Sequence, residues 1–229
     1  MLTIILVSSA AYGEDLESAR LEMDRSSEIV LGKDVLKFAT KPAYPRLCLM
    51  NDGTYILAWQ ETIPGRSDDN GRYICYALSQ DLKTWTPMGR LFSNKMVENV
   101  FGQQSERMYS CPEFLNLSDG SLLCVCCYWN LSTYSRIEGR ADNGLALRRS
   151  FDNGRSWSEE TEIFHGQCWE PFMLEQSDGR IQCYFSEARS WISSANSGTS
   201  MVESLDGGNT WIPDLSSRPY RVMRKKRNS

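Results

Sequence analysis

Residues 150–157 read Ser-Phe-Asp-Asn-Gly-Arg-Ser-Trp, and residues 204–211 read Ser-Leu-Asp-Gly-Gly-Asn-Thr-Trp. Both fit the pattern S-x-D-x-G-x-[S/T]-W, and residues 79–85 are a shortened version without the glycine. In this pattern the aspartate can accept hydrogen bonds from nearby backbone amides, and the glycine can adopt a left-handed conformation. We therefore predict a tight turn at each segment, called here an aspartate turn, with its tryptophan packed back over the structure. The positions concerned in the complete copies are Ser150, Asp152, Gly154, Trp157, Ser204, Asp206, Gly208 and Trp211.

A second repeat precedes each aspartate turn. Pro45, Pro112 and Pro171 each stand seven residues before the aspartate of an Asp-Gly pair, and each pair separates two apolar runs. Asp-Gly between apolar runs is a strong signal for a β-hairpin with a type I′ turn. The chain is therefore expected to contain three copies of one all-β unit, each beginning with a strand, a turn and a second strand.

The aspartate turns resemble the Asp boxes, or bacterial neuraminidase repeats, of the sialidase superfamily. The resemblance covers roughly residues 40–215. It implies that each turn joins the third and fourth strands of a four-stranded blade, and that the fold is an all-β, six-bladed β-propeller. The box implies a fold rather than a chemistry, because propellers that carry it include proteins without enzymatic activity.

The length of the chain bears on how many blades it holds. Three units fill residues 45 to about 220, and residues 29–38 predict one further strand. Six blades of this size need more than about 300 residues, and a propeller must close to remove its sheet edges. We therefore expect residues 29–229 to form about three and a half blades of an incomplete propeller, as the N-terminal portion of a longer chain. The alternative is a half-propeller that closes by dimerising; beyond this, the oligomeric state stays open.

The N-terminus resembles a short secretory signal peptide. Residues 2–7 are apolar, and Ala11 and Gly13 are small residues placed as at a cleavage site, although no Lys or Arg precedes the apolar run. We expect a signal peptide at residues 1–13, a leader at 14–28, and a secreted or periplasmic protein. The alternatives are a start inside a longer signal peptide and a frayed N-terminus. No segment has the roughly 18 apolar residues of a membrane-spanning helix, so no span is expected.

Composition excludes several kinds of function. The net charge is −4, which provides no basic field for nucleic acid, so no nucleic-acid partner is expected. His165 is the only histidine, which excludes a histidine-rich zinc site. The sequence has neither a phosphate loop nor a dinucleotide fingerprint, and we expect no cofactor and no metal. The spacings of the eight cysteines match no zinc module, and these residues are expected to be small buried hydrophobes; the alternative is one or two disulfides.

The candidate site follows from the propeller. The first strand of each blade lines the central channel, so the residues flanking the three prolines are expected at one channel mouth. Two carboxylates are what glycoside hydrolysis requires, and we predict Glu170 and Glu113 as the catalytic pair. The predicted substrate-binding residues are Arg46, Trp169, Tyr44 and Trp129. As alternatives, Arg46 and Glu113 form an ion pair between blades, Glu170 is an ordinary strand-end carboxylate, and the aromatic residues belong to the core.

Short sequence segments indicate which branch of the superfamily the chain resembles. The order Tyr44-Pro45-Arg46 departs from the Arg-Ile-Pro motif of true sialidases. Residues 169–172 and 198–204 look more like the exo-arabinanase-type hydrolases, which are retaining enzymes with two glutamates. The resemblance thus implies a secreted exo-glycosidase that acts on a polysaccharide or glycan with a two-carboxylate mechanism. The alternatives are a non-catalytic propeller that binds glycans or a protein partner, and a non-functional remnant.

Overall fold

The computed structural model describes residues 42–63, 72–134, 136, 138–187 and 198–224. The predicted signal peptide, the leader and the predicted strand at residues 29–38 lie outside them. Within the described residues, thirteen strands form three antiparallel sheets, each with its strands in chain order. The first sheet, blade 1, contains β1 (Ala43–Leu49), β2 (Tyr55–Thr62), β3 (Arg72–Ser79) and β4 (Thr86–Phe92).

Blades 2 and 3 repeat this arrangement. Blade 2 has one additional strand, β5, which pairs with the beginning of β6. Its strands are β5 (Lys95–Glu98), β6 (Gln104–Asn116), β7 (Leu122–Asn130), β8 (Gly144–Ser150) and β9 (Thr161–His165), with a short 3-10 helix at Glu138–Asp142. Blade 3 contains β10 (Cys168–Glu175), β11 (Ile181–Glu187), β12 (Gly198–Ser204) and β13 (Tyr220–Arg224).

The innermost strands of the three blades lie side by side. The strand β6 contacts β1 on one side and β10 on the other. These strands run in the same direction, and their three prolines lie toward the same end of the blades, which we call the proline end. The Asp-Gly hairpins and the aspartate turns lie at the other end, which we call the turn end. The chain is all-β and forms three consecutive blades of a β-propeller, as the sequence predicted.

Two apolar cores fill the spaces between the blades. Every residue of β7 is buried, because this strand has a neighbouring blade on each of its faces. Cys124 and Cys126 belong to the core between blades 1 and 2, while Cys127 belongs to the core between blades 2 and 3. This separation is what alternation along a strand predicts. All eight cysteines are free, and six of them are buried.

The Asp-Gly hairpins have a different turn from the one predicted. A type I′ turn requires positive φ at both central residues, but among these pairs only the glycine has one, at Gly53, Gly120 and Gly179. The amide of Gly53 donates to the carbonyl of Met50 at 3.0 Å, and the Met50 amide donates to the carbonyl of Thr54 at 2.8 Å. The prediction of type I′ turns was therefore wrong. Each hairpin has a three-residue loop that ends in a left-handed glycine, and the aspartate carboxylate accepts a hydrogen bond from the amide two residues further on.

The aspartate turns join the third and fourth regular strands of each blade. Asp152 Oδ1 accepts from the Ser156 amide at 2.8 Å and from Ser150 Oγ at 2.8 Å. The Gly154 amide donates to Ser150 Oγ at 2.8 Å. The second complete turn repeats these bonds around Asp206, whose Oδ1 accepts from the Thr210 amide at 2.8 Å. Each carboxylate thus accepts hydrogen bonds from backbone amides that the turn leaves without a backbone acceptor.

The two complete aspartate turns also contact the preceding blade. A Cβ atom added at Gly154 would lie 3.0 Å from Ile56 Cδ1 of blade 1. Trp157 packs between Tyr76 of blade 1 and Phe114 of blade 2, with ring centroids 6.2 Å apart in both pairs. In the next interface, the Arg149 guanidinium of blade 2 donates to the carbonyl of Gly207. The turns therefore hold adjacent blades together at the turn end.

Candidate functional site

All three inner strands carry a β-bulge at the same place. The register shifts between Ala43 and Arg46, between Ser110 and Glu113, and between Trp169 and Phe172. At each bulge the residue before the proline has a left-handed backbone, with φ of 51° at Tyr44, 52° at Cys111 and 53° at Glu170. These three sites are called here the proline bulges.

Such a conformation is costly for these residues. A proline disfavours helical conformations in the residue before it, and a left-handed non-glycine residue costs about 1–3 kcal/mol. Strain of this kind is concentrated at functional sites, and bulges re-aim side chains next to active sites. Its repetition in three adjacent blades therefore marks the proline end as a candidate site.

The proline bulges show which of the predicted residues occupy equivalent positions in the three blades. Glu170 occupies the place of Tyr44 and Cys111, directly before the proline. Glu113 occupies the place of Arg46, directly after it, where blade 3 has Phe172. The two glutamates are therefore not at equivalent positions, although the sequence analysis grouped them simply as proline neighbours. The side chains of Glu170, Tyr44 and Phe172 are exposed.

Arg46 and Glu113 form an ion pair between blades 1 and 2. Arg46 Nε lies 2.6 Å from Glu113 Oε2, and Arg46 Nη1 donates to the carbonyl of Pro45 at 3.0 Å. The Arg46 side chain is 37% exposed, whereas that of Glu113 is only 17% exposed. Burial raises the pKa of Glu113, and the Arg46 guanidinium opposes this rise. The structure thus contains the ion pair that was one alternative for these residues.

Three aromatic rings cluster at the proline end of blades 2 and 3. The ring centroids of Trp129 and Trp169 are 5.4 Å apart, and Tyr134 lies 6.2 Å from Trp129 and 6.0 Å from Trp169. The Arg72 guanidinium from blade 1 lies 5.3 Å from the Trp129 ring centroid. Trp129 is buried, while Trp169 and Tyr134 are half-buried. This aromatic cluster therefore has both a packed side and an accessible side, and Glu170 follows Trp169 directly in the chain.

Tyr134 and Arg72 were missed by the sequence analysis. Tyr134 follows β7 in a loop, and Arg72 begins β3, so neither flanks a proline. Both residues lie at or shortly after a strand end on the side of the molecule that carries the prolines. A search of all strand ends on that side would have found them. Phe172 was missed although it directly follows Pro171, as Arg46 and Glu113 follow their prolines, because the sequence analysis considered only the residues before Pro171.

A network of charged side chains lies in the outer part of blade 2 near the same end. Arg107 Nη1 contacts Glu162 Oε1 at 2.6 Å and Glu160 Oε1 at 3.2 Å, and Tyr109 donates to Glu160 at 2.7 Å. His165 Nε2 lies 2.7 Å from Glu162 Oε2. Despite the opposing effect of burial, His165 and Arg107 lower the pKa of Glu162 to about 2. His165, at the end of β9, is therefore part of a network of charged side chains.

A groove of about 580 Å³ lies at the turn end, away from the proline bulges. Ser79, Asp81, Thr84 and Arg155 are among its lining residues. Asp81 already accepts from the amides of Lys83 and Thr84 at 2.8 and 2.7 Å. The carboxylate is therefore used by its own turn, and the groove is an open space beside a structural element.

Two kinds of site are absent from the residues that the structure describes. No three His, Cys, Asp or Glu side chains there are arranged to hold a metal ion. In that same part of the chain, no helix has the length and apolar character needed to cross a membrane.

Neither the protein-family models nor the curated proteins match this chain. Solved structures do match it. The chain is similar to the α-L-arabinofuranosidase Arb93A from Fusarium graminearum, with 16% identity, a TM-score of 0.58, and coverage of 80% of this chain and 49% of that one. It is also similar to an exo-1,5-α-L-arabinanase from a bovine ruminal metagenomic library, with 11% identity, a TM-score of 0.56, and coverage of 86% and 65%.

A third similar structure is a Hadza microbial sialidase, with 18% identity, a TM-score of 0.56, and coverage of 76% of this chain and 37% of that one. The chain thus spans less than two thirds of each of these three proteins. At identities this low, the structural similarity establishes the fold alone. By its own sheets and by this likeness, the chain is a partial β-propeller with the architecture that these sialidase and arabinan-degrading glycoside hydrolases share.

Proposed function

We propose that the chain carries the catalytic glutamate of a secreted glycoside hydrolase that acts on a polysaccharide or glycan. The observation that carries the proposal is the placement of Glu170. Its exposed side chain stands on a strained proline bulge at the inner edge of blade 3, immediately after a tryptophan of the aromatic cluster. An exposed carboxylate beside flat apolar rings can reach a sugar whose ring stacks on those rings.

Glu113 is the second carboxylate of the proposed mechanism. Burial raises the pKa of Glu113 on balance, while the neighbouring Arg46 opposes this rise and favours the ionised form. An ionised carboxylate suits a nucleophile or a base, while the other carboxyl group protonates the leaving oxygen. Glu170 is assigned the acid because its exposed side chain, beside the aromatic cluster, can reach the leaving oxygen of a sugar stacked there. In this proposal Trp169 and Tyr44 contact the sugar, the buried Trp129 supports the Trp169 ring from the packed side, and Arg46 positions Glu113 and contacts substrate hydroxyls.

Two observations support the substrate class that we propose. The structural neighbours include proteins titled arabinanase, arabinofuranosidase and sialidase, and residues 169–172 and 198–204 resemble the arabinanase-type enzymes. We therefore favour arabinan or a related polysaccharide, cleaved from a chain end. A sialoside is the second substrate to test.

The test measures hydrolysis of linear arabinan, an aryl α-L-arabinofuranoside and a fluorogenic sialoside by the purified protein. Glu170→Gln should lower kcat by about 100- to 10,000-fold on the substrate that is cleaved, because a positioned general acid contributes this much. Glu175→Gln is the matched control, since Glu175 lies on the same strand but bonds to Ser118 at the turn end. Turnover that survives in Glu170→Gln would overturn the assigned role.

A non-catalytic propeller that binds glycans is the second candidate. It is favoured by the Arg46–Glu113 ion pair, which occupies a carboxylate that the hydrolytic mechanism needs. In this case titration calorimetry should detect binding of arabino-oligosaccharides without release of product. Loss of that binding in Trp169→Ala, with no hydrolysis in the unmodified protein, would decide for the binding function.

A further inference from the structure

The loop that follows β7 carries one ring of the aromatic cluster. Residues 131–134 belong to this loop, and the Tyr134 ring centroid lies 6.0 Å from that of Trp169. The two ring planes are 73° apart, which is the edge-to-face arrangement that aromatic pairs prefer. Both side chains are half-buried, and Glu170 follows Trp169 directly in the chain. The loop therefore adds an accessible aromatic side chain to the part of the candidate site that contains Glu170.

Trp129 forms the packed side of the same cluster. It is 6% exposed, and its ring centroid lies 5.4 Å from that of Trp169 and 6.2 Å from that of Tyr134. The Arg72 guanidinium of blade 1 lies 5.3 Å from the Trp129 ring centroid. Trp129 thus supports the other two rings from within, which leaves Trp169 and Tyr134 as the rings that a ligand can contact.

Buried asparagines fix the base of this loop. Asn99, Asn130 and Asn143 are each at most 4% exposed. Asn130 Oδ1 accepts from the Ser132 amide at 3.1 Å and from Ser132 Oγ at 2.8 Å. Asn99 Nδ2 donates to Ser132 Oγ at 3.1 Å, and Asn143 Oδ1 accepts from the Asn130 amide at 3.3 Å. Breaking such bonds would leave buried polar groups without partners, which is costly, so the bonds hold the loop in place.

A close contact with the 3-10 helix holds the loop from another side. Thr133 is 1% exposed, and its amide donates to the carbonyl of Asn130 at 3.2 Å. A Cβ atom added at Gly139 would lie 2.6 Å from the Thr133 carbonyl oxygen and closer still to Thr133 Cβ. Asn143 Nδ2 donates to the carbonyl of Gly139 at 2.6 Å. The helix therefore approaches the residue before Tyr134 as closely as only a glycine allows.

We propose that Tyr134 is a sugar-binding residue and that the loop of residues 131–134 fixes its place beside Trp169. A tyrosine ring offers a rigid apolar surface at low cost in conformational entropy, and a sugar ring presents an apolar face of C–H groups to it. Gly139 and Asn130 are positioning residues that act through the loop. The choice of a sugar as ligand rests on the proposed function.

The first measurement is the Kd of arabinotriose and of sialyllactose by titration calorimetry. Tyr134→Ala should raise the Kd of the sugar that binds about tenfold, which corresponds to the loss of one aromatic contact. Tyr134→Phe keeps the ring and should stay within about twofold of the unmodified protein. Tyr55→Ala is the matched control, because Tyr55 is also half-buried but begins β2 at the turn end, and it should leave the Kd unchanged.

Gly139→Ala tests the loop without removing a ring. The added methyl group requires Thr133 to move, so the Kd should rise about fivefold although Tyr134 is still present. Gly120→Ala is its control, because it strains a hairpin glycine at the turn end where nothing lies within 4 Å of the added Cβ. This control should leave the Kd unchanged, and urea unfolding establishes that each variant is folded during the titration.

Equal Kd values for Tyr134→Ala and Tyr55→Ala would overturn the proposal, and so would the failure of both sugars to bind the unmodified protein. Hydrolysis assays judge the proposed function separately. If Glu170→Gln abolishes turnover while Tyr134→Ala leaves Kd and KM unchanged, the catalytic role stands and the role of Tyr134 fails. If Tyr134→Ala weakens binding while Glu170→Gln keeps full activity, the role of Tyr134 stands and the catalytic role fails.

Discussion

Glu113 shows how one residue responds to two opposing environments. Its burial beneath the inner strands favours the neutral acid, while the Arg46 guanidinium 2.6 Å away favours the carboxylate. The pKa is raised on balance, so desolvation outweighs the partly exposed arginine. A raised pKa means that ionising Glu113 costs folding free energy as the pH rises through its titration range.

We predict that Arg46→Gln raises the pKa of Glu113 further. The substitution removes the favourable charge and leaves the desolvation in place. The carboxyl carbon of Glu113, followed by NMR during a pH titration, should therefore titrate at higher pH than in the unmodified protein. Arg180→Gln removes an exposed arginine of blade 3 that pairs with Asp178 and serves as the control. An unchanged Glu113 titration in Arg46→Gln would contradict the assigned contact.

Among the elements, the aspartate turn combines a local bonding pattern with a contact between blades. Its carboxylate bonds stay within eight residues of chain, which is why the motif is recognisable in the sequence. Its glycine has a second role that the motif does not reveal. The Gly154 backbone approaches Ile56 of the preceding blade, with no room for a larger residue unless that side chain shifts.

Gly154→Ala and Gly179→Ala should separate these two roles. Both glycines have left-handed φ, of 75° and 82°, so alanine costs about 1–2 kcal/mol at either position. At Gly179 nothing lies within 4 Å of the added Cβ, while at Gly154 the Ile56 side chain lies 3.0 Å away. We therefore expect the larger loss of unfolding free energy at Gly154, by about a further 1 kcal/mol. Urea unfolding measures both, and equal losses would contradict the packing role.

At the scale of the whole molecule, the blades are held by different forces at their two ends. The turn end has hydrogen-bonded aspartate turns seated on the preceding blade. The proline end has ion pairs and the aromatic cluster. The apolar cores lie between these ends. Stability should consequently depend on pH through the carboxylates at both ends.

Glu162 gives the expected direction of that dependence. Its pKa is about 2 in the folded chain and 4.5 as the reference value. An acid with a lowered folded pKa stabilises the fold above its unfolded pKa, and this contribution disappears as the pH falls through the folded value. The free energy of unfolding should therefore fall between about pH 4.5 and 2. Glu162→Gln should show a smaller fall in urea unfolding across this interval; an equal fall would contradict the network around Arg107.

Parts of the candidate site were predictable from the sequence, since the repeated prolines indicated the correct ends of the inner strands. The roles of the residues beside them were not all predictable. The left-handed backbone of Tyr44, Cys111 and Glu170 runs against the usual preference before proline. Spacing from the proline aligns these positions between the blades, but it did not reveal the bulge or its left-handed backbone.

The sequence by itself determined the hairpins, the aspartate turns and the blade repeat, because each depends on contacts between residues close in the chain. Only the tertiary structure decided which side chains meet at the proline end. The Arg46–Glu113 pair spans 67 residues, and Trp129, Tyr134 and Trp169 come from different blades and a loop. Such contacts depend on how neighbouring inner strands pack side by side, and no local pattern records that arrangement.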